Sequence, residues 1–443
     1  MSASLVGSEM CIRDSKKVVR YFMRYCIIVD SFKKIIEDYT MGSENVAQEY
    51  SEKVRKFKKN NKIADILVKI KSFFRKIRIG VVLAVVAVLA VIIGIFFYKK
   101  YQTFDNYKVI DSLKVDSGKD SRYEAYGDFV IKYSSDGISY IDGTETVWDE
   151  SFEMKSPIVD ICDDYIAVAD KNTNDIFIYN KDGKVGHAST SYPIVKLEVA
   201  SQGVVAALLE DKNANYIEVY DKDGEKLISH KTLLRENGYP LNFSISEKGS
   251  KMVVSYVTVN GGVMKNKVLF YNFSSAGQNA SDMMVGEFDQ YGETLVPMVK
   301  FISDNVAIAV GENVLTVYSM RDKPSVKCEK KFKDEIQKVF YSDNYVGFVL
   351  KNANSKKPYR IEVYNLRGKR VMGAETSVLY NNVTFSGENV LMYDDMNCKI
   401  VSFGGVEKFT YTFKGQINDI IPVDGKKTFL IMGNSKVQKV KLK

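Results

Sequence analysis

Two stretches place oxygen ligands at close spacing: "DKNTND" from Asp170 and "DKDGEK" from Asp221. A calcium loop needs oxygens at alternate positions, then a glycine and, about six residues further on, a bidentate glutamate. Neither stretch has that order, and both fall where tight turns are expected, so they read as turns. The two histidines, His187 and His230, lie beside or just after turns without a partner nearby in the chain, and read as surface or packing residues. No phosphate-cradling GxxxxGKS or GxxxxGKT and no GxSxG nucleophile elbow occurs. Five cysteines are present. Cys11 and Cys26 fall near the N-terminus, while Cys162, Cys328 and Cys398 are widely spaced with no CxxC, which argues against zinc and against a disulfide framework. No cofactor or metal is expected. The remaining candidates are Asp170, Asp211, Asp394 and Asp395, acids that follow buried-looking strands and could approach one face of the fold as a shared binding site. With no nucleophile–base constellation, the chain does not read as an enzyme.

The elements that must position these acids are strands. Beyond residue 105 the apolar period is two, with turn residues between short runs. A repeat runs through the region: "IFIYNKDGKV" from Ile176, "IEVYDKDGEKL" from Ile217, "VLFYNFSSAG" from Val268, "LTVYSMRDK" from Leu315 and "IEVYNLRGKRV" from Ile361. Its core is an apolar-x-apolar-Tyr strand, a polar turn and a second strand. Asp182-Gly183 and Asp223-Gly224 suit tight hairpins because glycine tolerates positive φ. Two further strands precede each copy, and a four-stranded antiparallel sheet per repeat is a propeller blade. Runs such as "YIAVA" and "VAIAV" use small residues, as expected of innermost strands crowded around an axis. Units begin near Tyr123, Ile158, Ile194, Leu241, Val299, Ile336, Asn381 and Ile417. The last supplies only three strands, and "YKVIDSLKV", Tyr107 to Val115, is expected to complete it and close the ring. The fold class is therefore all-β, an eight-bladed β-propeller over residues 107–443, with seven blades as the alternative.

One segment sets the topology. "IGVVLAVVAVLAVIIGIFFY", residues 79–98, has no charged residue. At 1.5 Å per residue its length matches the hydrocarbon core of a bilayer, about 30 Å. It has no polar face, and it ends in "FFYKK" rather than a small-residue cleavage site. It reads as a single transmembrane helix, with 99–106 as a linker. Between Lys53 and Arg78 there are eleven Lys or Arg and one acid, Asp65. The heavier basic side stays in the cytoplasm, which places the N-terminus inside and the long C-terminal part outside. Residues 101–443 carry 43 basic and 46 acidic groups. The net +8 of the chain therefore belongs to the tail and gives no support to nucleic-acid binding. Within that tail, 41–78, apolar residues from Ile63 to Ile77 recur at helical steps. Lys62, Lys69, Lys71, Arg75, Lys76 and Arg78 lie among them, and Lys99 and Lys100 follow the apolar segment. This is a basic amphipathic helix suited to an anionic inner leaflet.

The extreme N-terminus has a different origin. Back-translated, Leu5 to Asp14 spells the mosaic end of a transposase-type sequencing adapter, so residues 1–15 read as a scar. Glu37-Asp38 can be encoded as a ribosome-binding signal just before Met41. Residues 1–40 therefore read as scar plus read-through leader, with Met41 as the native start and Met23 as the alternative.

On these motifs, residues 107–443 resemble the quinoprotein/WD-repeat-like propellers of bacterial envelopes. The whole layout, a basic tail, one anchor and a "YNKDGK"-type propeller, is similar to an uncharacterised membrane-anchored β-propeller family of low-GC Gram-positive bacteria. The resemblance implies architecture and a cell-envelope location, without an activity. The expected function is a membrane-tethered, extracytoplasmic binding or scaffolding module for an envelope protein or glycan. The alternative is a propeller enzyme, either a quinone-cofactor oxidoreductase or a glycan-acting one, which a cluster of three carboxylates in the central channel would favour.

Overall fold

The structure, a computed structural model, describes residues 79–443 apart from 116–120, 128, 143–144, 236, 354 and 424–426. The expected scar, the Met41 start and the basic helix with Lys62, Lys69, Lys71, Arg75, Lys76 and Arg78 lie outside the described residues. The chain divides into two units, Met1–Tyr98 and Lys99–Lys443.

Helix α1 (Ile79–Tyr101) is uncharged until its last turn, where Lys99 and Lys100 stand near the carbonyl end of the helix dipole. It runs three residues past the expected end at Tyr98. From Leu83 to Tyr101 it is long and apolar enough to cross a membrane, and none of that span is buried.

Beyond Tyr101 the regular elements among the described residues are strands and one 3-10 turn, Ser281–Met283. Among the described residues the second unit holds thirty-two strands, β1 (Tyr107–Lys114) to β32 (Lys436–Leu442), in eight antiparallel four-stranded sheets. Seven blades are consecutive in sequence, at 122–151, 157–189, 194–233, 239–288, 298–331, 336–376 and 382–412. The eighth takes its first three strands from 417–442 and its fourth from β1, which pairs antiparallel with β32. The closing strand read from "YKVIDSLKV" is therefore in place, and the blade count is eight. Phe104, just before β1, is buried, and its N–H donates to the Lys408 carbonyl at 2.7 Å. Within the expected linker, 99–106, Phe104 thus packs on the seventh blade.

The core is distributed between blades. Each of eight apolar clusters joins two neighbouring sheets. One of them packs Tyr123 and Val130 of the first blade against Leu430, Met432 and Val437 of the eighth. Eight blades with eight interfaces form a closed ring, and closure removes the exposed sheet faces that an open stack would leave at its two ends.

The small-residue runs are not innermost, contrary to expectation. Inner strands of neighbouring blades lie against one another, and these are the first strands: β6 (Pro157–Cys162) against β10 (Ile194–Val199), and β14 (Tyr239–Ile245) against β18 (Met298–Ser303). "YIAVA" and "VAIAV" are second strands, β7 (Tyr165–Asp170) and β19 (Val306–Val310). Ala167 and Ala169 are fully buried between the second and third blades. Small side chains there let two twisted sheets approach face to face, a packing requirement distinct from crowding at the axis.

In the second, third, fourth and sixth blades the third strand closes with a buried tyrosine followed by Asn or Asp: Tyr179, Tyr220, Tyr271 and Tyr364. The turn after it is fixed by an Asp or Asn side chain. Asp221 Oδ1 accepts the N–H groups of Asp223 and Glu225 at 3.0 and 2.9 Å. Asn365 Oδ1 does the same for Arg367 and Lys369, both at 3.0 Å. Gly224 sits in this turn at φ +96°, where an added Cβ would also strike the His187 carbonyl oxygen.

Candidate functional site

The inner strands carry polar side chains where an apolar core would be expected. Glu124 on β2 (Arg122–Tyr126), Asp160, Glu198, Ser244 and Lys300 occupy equivalent register positions. Their second-strand partners are Ile131, Ala167, Ala206, Val253 and Ile308. Five consecutive blades thus present one polar side chain each at the same level of the central channel.

These side chains latch one blade to the next. Asp160 Oδ2 accepts the Val199 N–H at 2.8 Å. Glu198 Oε2 accepts the Ser244 hydroxyl at 2.8 Å and the Ile245 N–H at 3.1 Å. Ser244 Oγ in turn accepts the Phe301 N–H at 3.0 Å. The other oxygen of Glu198, Oε1, receives Lys196 and Lys300, each at 3.1 Å. Lys196 also donates to Asn242 Oδ1 and the Phe243 carbonyl, both at 2.6 Å, which uses its three N–H groups. Lys300 has the Glu198 pair alone among the described residues, so two of its N–H groups remain for other acceptors.

The environment separates the acids into two kinds. Burial pushes Glu198 up, but Lys300, Lys196 and the Ser244 hydroxyl outweigh it and hold the carboxyl below the usual range. Burial and the neighbouring Glu198 carry Asp160 the other way, to about 6, against the pull of Lys300, the Val199 N–H and Lys196. Glu124 reaches channel water, yet the enclosing walls strip enough solvation to raise it to about 7, with Asp419 and Asp160 adding to the push and Arg122 opposing it. Asp419, on β30 (Ile417–Pro422), is raised by burial, although Tyr393 and the Ile420 N–H donate to it.

A cavity of about 320 Å³ opens beside this group, with Asp160, Lys196, Glu198, Asn242, Lys300 and Tyr341 on its polar side. Aliphatic wall is supplied by Ile158, Val195 and Met298. Tyr341 belongs to β22 (Ile336–Ser342), so the walls come from the inner strands of five blades. The arrangement can bind a charged group and can exchange a proton near neutral pH. Among the described residues, no three of His, Cys, Asp and Glu are grouped so as to hold a metal ion. The channel does collect four carboxylates, Glu124, Asp160, Glu198 and Asp419, but Glu198 is committed to two lysines.

The acids singled out in the sequence have local tasks. Asp170 accepts the N–H groups of Lys155 and Ser156 at 3.0 and 2.7 Å, fastening the link between the first and second blades. Asp211 accepts the Lys212 N–H at 2.7 Å. Asp394 accepts those of Met396 and Asn397 at 3.0 and 2.7 Å. Burial pushes its carboxyl up, but these bonds and the Asn397 amide together outweigh it and hold the carboxyl below the usual range. Asp395 contributes its carbonyl to the Ile417 N–H at 2.8 Å. No hydrogen bond joins any two of the four among the described residues. His187 pairs with Asp175 at 3.0 Å on the surface, and His230 packs edge-on against Tyr271. Cys162, Cys328 and Cys398 are free thiols. The channel residues were legible in principle. "IVDIC", "KLEVA", "FSIS" and "VKFI" each place a polar residue, Asp160, Glu198, Ser244 or Lys300, at the matching position of a largely apolar inner strand, and that recurrence is their signal in the sequence.

Solved structures at this level of likeness show fold alone. Sqt1 from Saccharomyces cerevisiae is 11% identical with a TM-score of 0.51, over 76% of this chain and 98% of that one. Sqt1 from Chaetomium thermophilum is 10% identical with a TM-score of 0.51, over 75% and 98%. No curated protein matches the sequence. The model of the Family of unknown function (DUF5711) matches residues 100–442, the whole propeller. The chain belongs to that family.

Proposed function

We propose that this protein is a membrane-tethered, extracytoplasmic binding module that holds its ligand at the central channel of the propeller. The observation that carries the reading is the cavity of about 320 Å³ walled by Asp160, Lys196, Glu198 and Lys300. Buried charges of this kind contribute little net stability compared with apolar residues of the same volume, so a ligand role accounts for them better than a packing role does. The tether is supported by α1, which from Leu83 to Tyr101 is long and apolar enough to cross a membrane. The basic residues before it and its positive-inside asymmetry support an N-in, C-out orientation at the cell envelope.

Two measurements on the full chain in cells test this. On a cysteine-free background, Asp182→Cys is expected to react with an impermeant thiol reagent in intact cells and Ser51→Cys is not; the opposite pattern reverses the orientation. Capture of an envelope protein or glycan is expected to fall with Lys300→Met and with Tyr341→Phe, but not with Val326→Ser on an outer strand. Equal capture by all three removes the channel from the reading.

A second reading has its own support. Glu124, held at about 7, is a carboxyl able to act as a general acid at neutral pH, which suits a glycan-acting propeller. Release of reducing ends from envelope glycan by the protein, abolished in Glu124→Gln, would favour it.

A further inference from the structure

We propose that the channel cavity takes a small carboxylate, anchored on Lys300 and Tyr341, and that binding is coupled to proton uptake at Asp160. This rests on reading the channel as a ligand site and adds the chemical class and its control.

The charges on the cavity wall lead to the anion. Glu198 is saturated, with both lysines on one oxygen and the Ser244 hydroxyl and Ile245 N–H on the other. Lys196 has no N–H left. The remaining charged donor is Lys300, with two N–H groups, and on the same wall stand the phenol of Tyr341 and the second amide N–H of Asn242, whose first goes to the Pro297 carbonyl. One ammonium and one phenol match a single negative charge. A dianionic phosphate would need more donors and would face Asp160. The aliphatic wall of Ile158, Val195 and Met298 suits a short carbon body beside the charged end.

The proton follows from the same bookkeeping of charge. With Asp160 ionised, the wall of Asp160, Glu198, Lys196 and Lys300 is neutral, and the Asp160 carboxylate repels an incoming anion. With Asp160 protonated, the wall is positive and favours an anion at the two remaining N–H groups of Lys300. Asp160 sits at about 6, so the exchange falls in the physiological range. The charged and titratable groups around it are Arg122 and Glu124 on β2, Cys162 on its own strand, Lys196 and Glu198 on β10, Lys300 on β18, Tyr341 on β22 and Asp419 on β30. Glu198, held low, and Lys300, held high, keep their charges across that range, and Glu124, raised to about 7, titrates beside Asp160.

The test is calorimetric titration of the full chain in detergent with N-acetylalanine and with its uncharged amide. The acid is expected to bind, the amide not, and affinity for the acid to rise roughly tenfold from pH 7 to pH 5, as one linked proton at pH 6 requires. Asp160→Asn should bind at pH 7 as wild type does at pH 5 and lose the pH dependence. Glu124→Gln should keep it, and Lys300→Met should abolish binding. Should Lys300→Met lose its circular dichroism signature of folding, Asp160→Asn decides alone. Equal binding of acid and amide, no binding of the acid, or affinity that is flat or rises with pH overturns the proposal. If channel variants leave envelope capture unchanged while the acid still binds, the partner reading falls and this one stands. If capture depends on the channel but the acid does not bind, this one falls alone.

Discussion

Tyr107, the first residue of β1, is the register partner of Leu442, the last residue of β32. The two ends of the domain thus share one blade, and the ring is locked where the chain could otherwise open. The lock is asymmetric. β1 is an outermost strand, with Ile110 54% and Val109 39% exposed, whereas Val437 and Val440 of β32 are each 1% exposed. Deleting 107–114 removes the half-buried Tyr107 and Leu113 and is expected to cost about 2–3 kcal/mol. Deleting 436–443 removes three buried apolar side chains and is expected to cost roughly 5–9 kcal/mol, comparable with the whole stability of a domain. Urea midpoints of the two truncated chains check this; equal losses would mean that β1 contributes as a core strand.

Glu198 is the point through which Lys196 and Lys300 are both neutralised. Glu198→Gln leaves two ammonium groups facing each other and is expected to destabilise the fold by roughly 3 kcal/mol. Lys300→Met added to it should recover part of that loss, whereas independent sites would add. The pH dependence has a definite sign. The folded carboxyl lies below its unfolded value, so its contribution is present at neutral pH and disappears as pH falls through the acid range below about 4. Wild type should therefore lose its advantage over Glu198→Gln in thermal midpoints taken from pH 7 down to pH 3. An advantage that persists unchanged at pH 3 would mean that the glutamate acts through shape alone.

The blade was legible because its cause is local. The Tyr of "IEVYDKDGEK" and "IEVYNLRGKR", the Asp or Asn after it and the glycine specify a strand end and a turn within ten residues. The closing strand was legible too, because a three-stranded last unit leaves one edge to fill. The channel was not. Glu124, Asp160, Glu198, Ser244 and Lys300 are 36 to 56 residues apart from one to the next, and only the ring brings them to one level. The acids chosen instead, Asp170, Asp211, Asp394 and Asp395, follow strands and look exposed in sequence, which is also what a turn or loop cap looks like. Small residues misled for a related reason: alanine relieves crowding both at an axis and between sheets, and sequence does not distinguish the two.

The third and sixth blades repeat one buried arrangement. Tyr220 donates to Glu218 at 2.5 Å and Lys226 to the same carboxylate at 2.8 Å. Tyr364 donates to Glu362 at 2.5 Å and Arg370 at 2.8 Å. The carboxylates are 1% and 5% exposed, so each hydroxyl contributes a charge-assisted bond in a dry site. Tyr220→Phe and Tyr364→Phe are each expected to cost about 1.5 kcal/mol, because the basic partner still satisfies the acid. The two losses should add in the double variant, since the sites share no partner. Chemical denaturation reads this directly, and a double variant far worse than the sum would reveal coupling between the two blades.

Glu124 makes the last prediction, and its sign is opposite to that of Glu198. Its carboxyl sits at about 7 in the folded chain, raised by enclosure in the channel and by Asp419 and Asp160, while an unfolded glutamate titrates near 4.3. The folded state therefore holds the proton more tightly than the unfolded state does. Its contribution is full below about pH 4 and is lost as pH rises through 7, where folding must accommodate a charge among like charges. Asp160, at about 6, acts in the same direction over a slightly lower window. Glu124→Gln keeps the size and the hydrogen-bonding capacity of the protonated acid but cannot ionise. It should melt with wild type at pH 4.5 and above it at pH 8, with the gap opening between pH 5 and 7.5. Glu124→Ala should not reproduce this, because it also removes the side chain from the channel wall at every pH. A constant gap between wild type and Glu124→Gln from pH 4.5 to 8 would show that the channel leaves this carboxyl with an ordinary acidity, and would withdraw the general acid from the glycan-acting reading along with it.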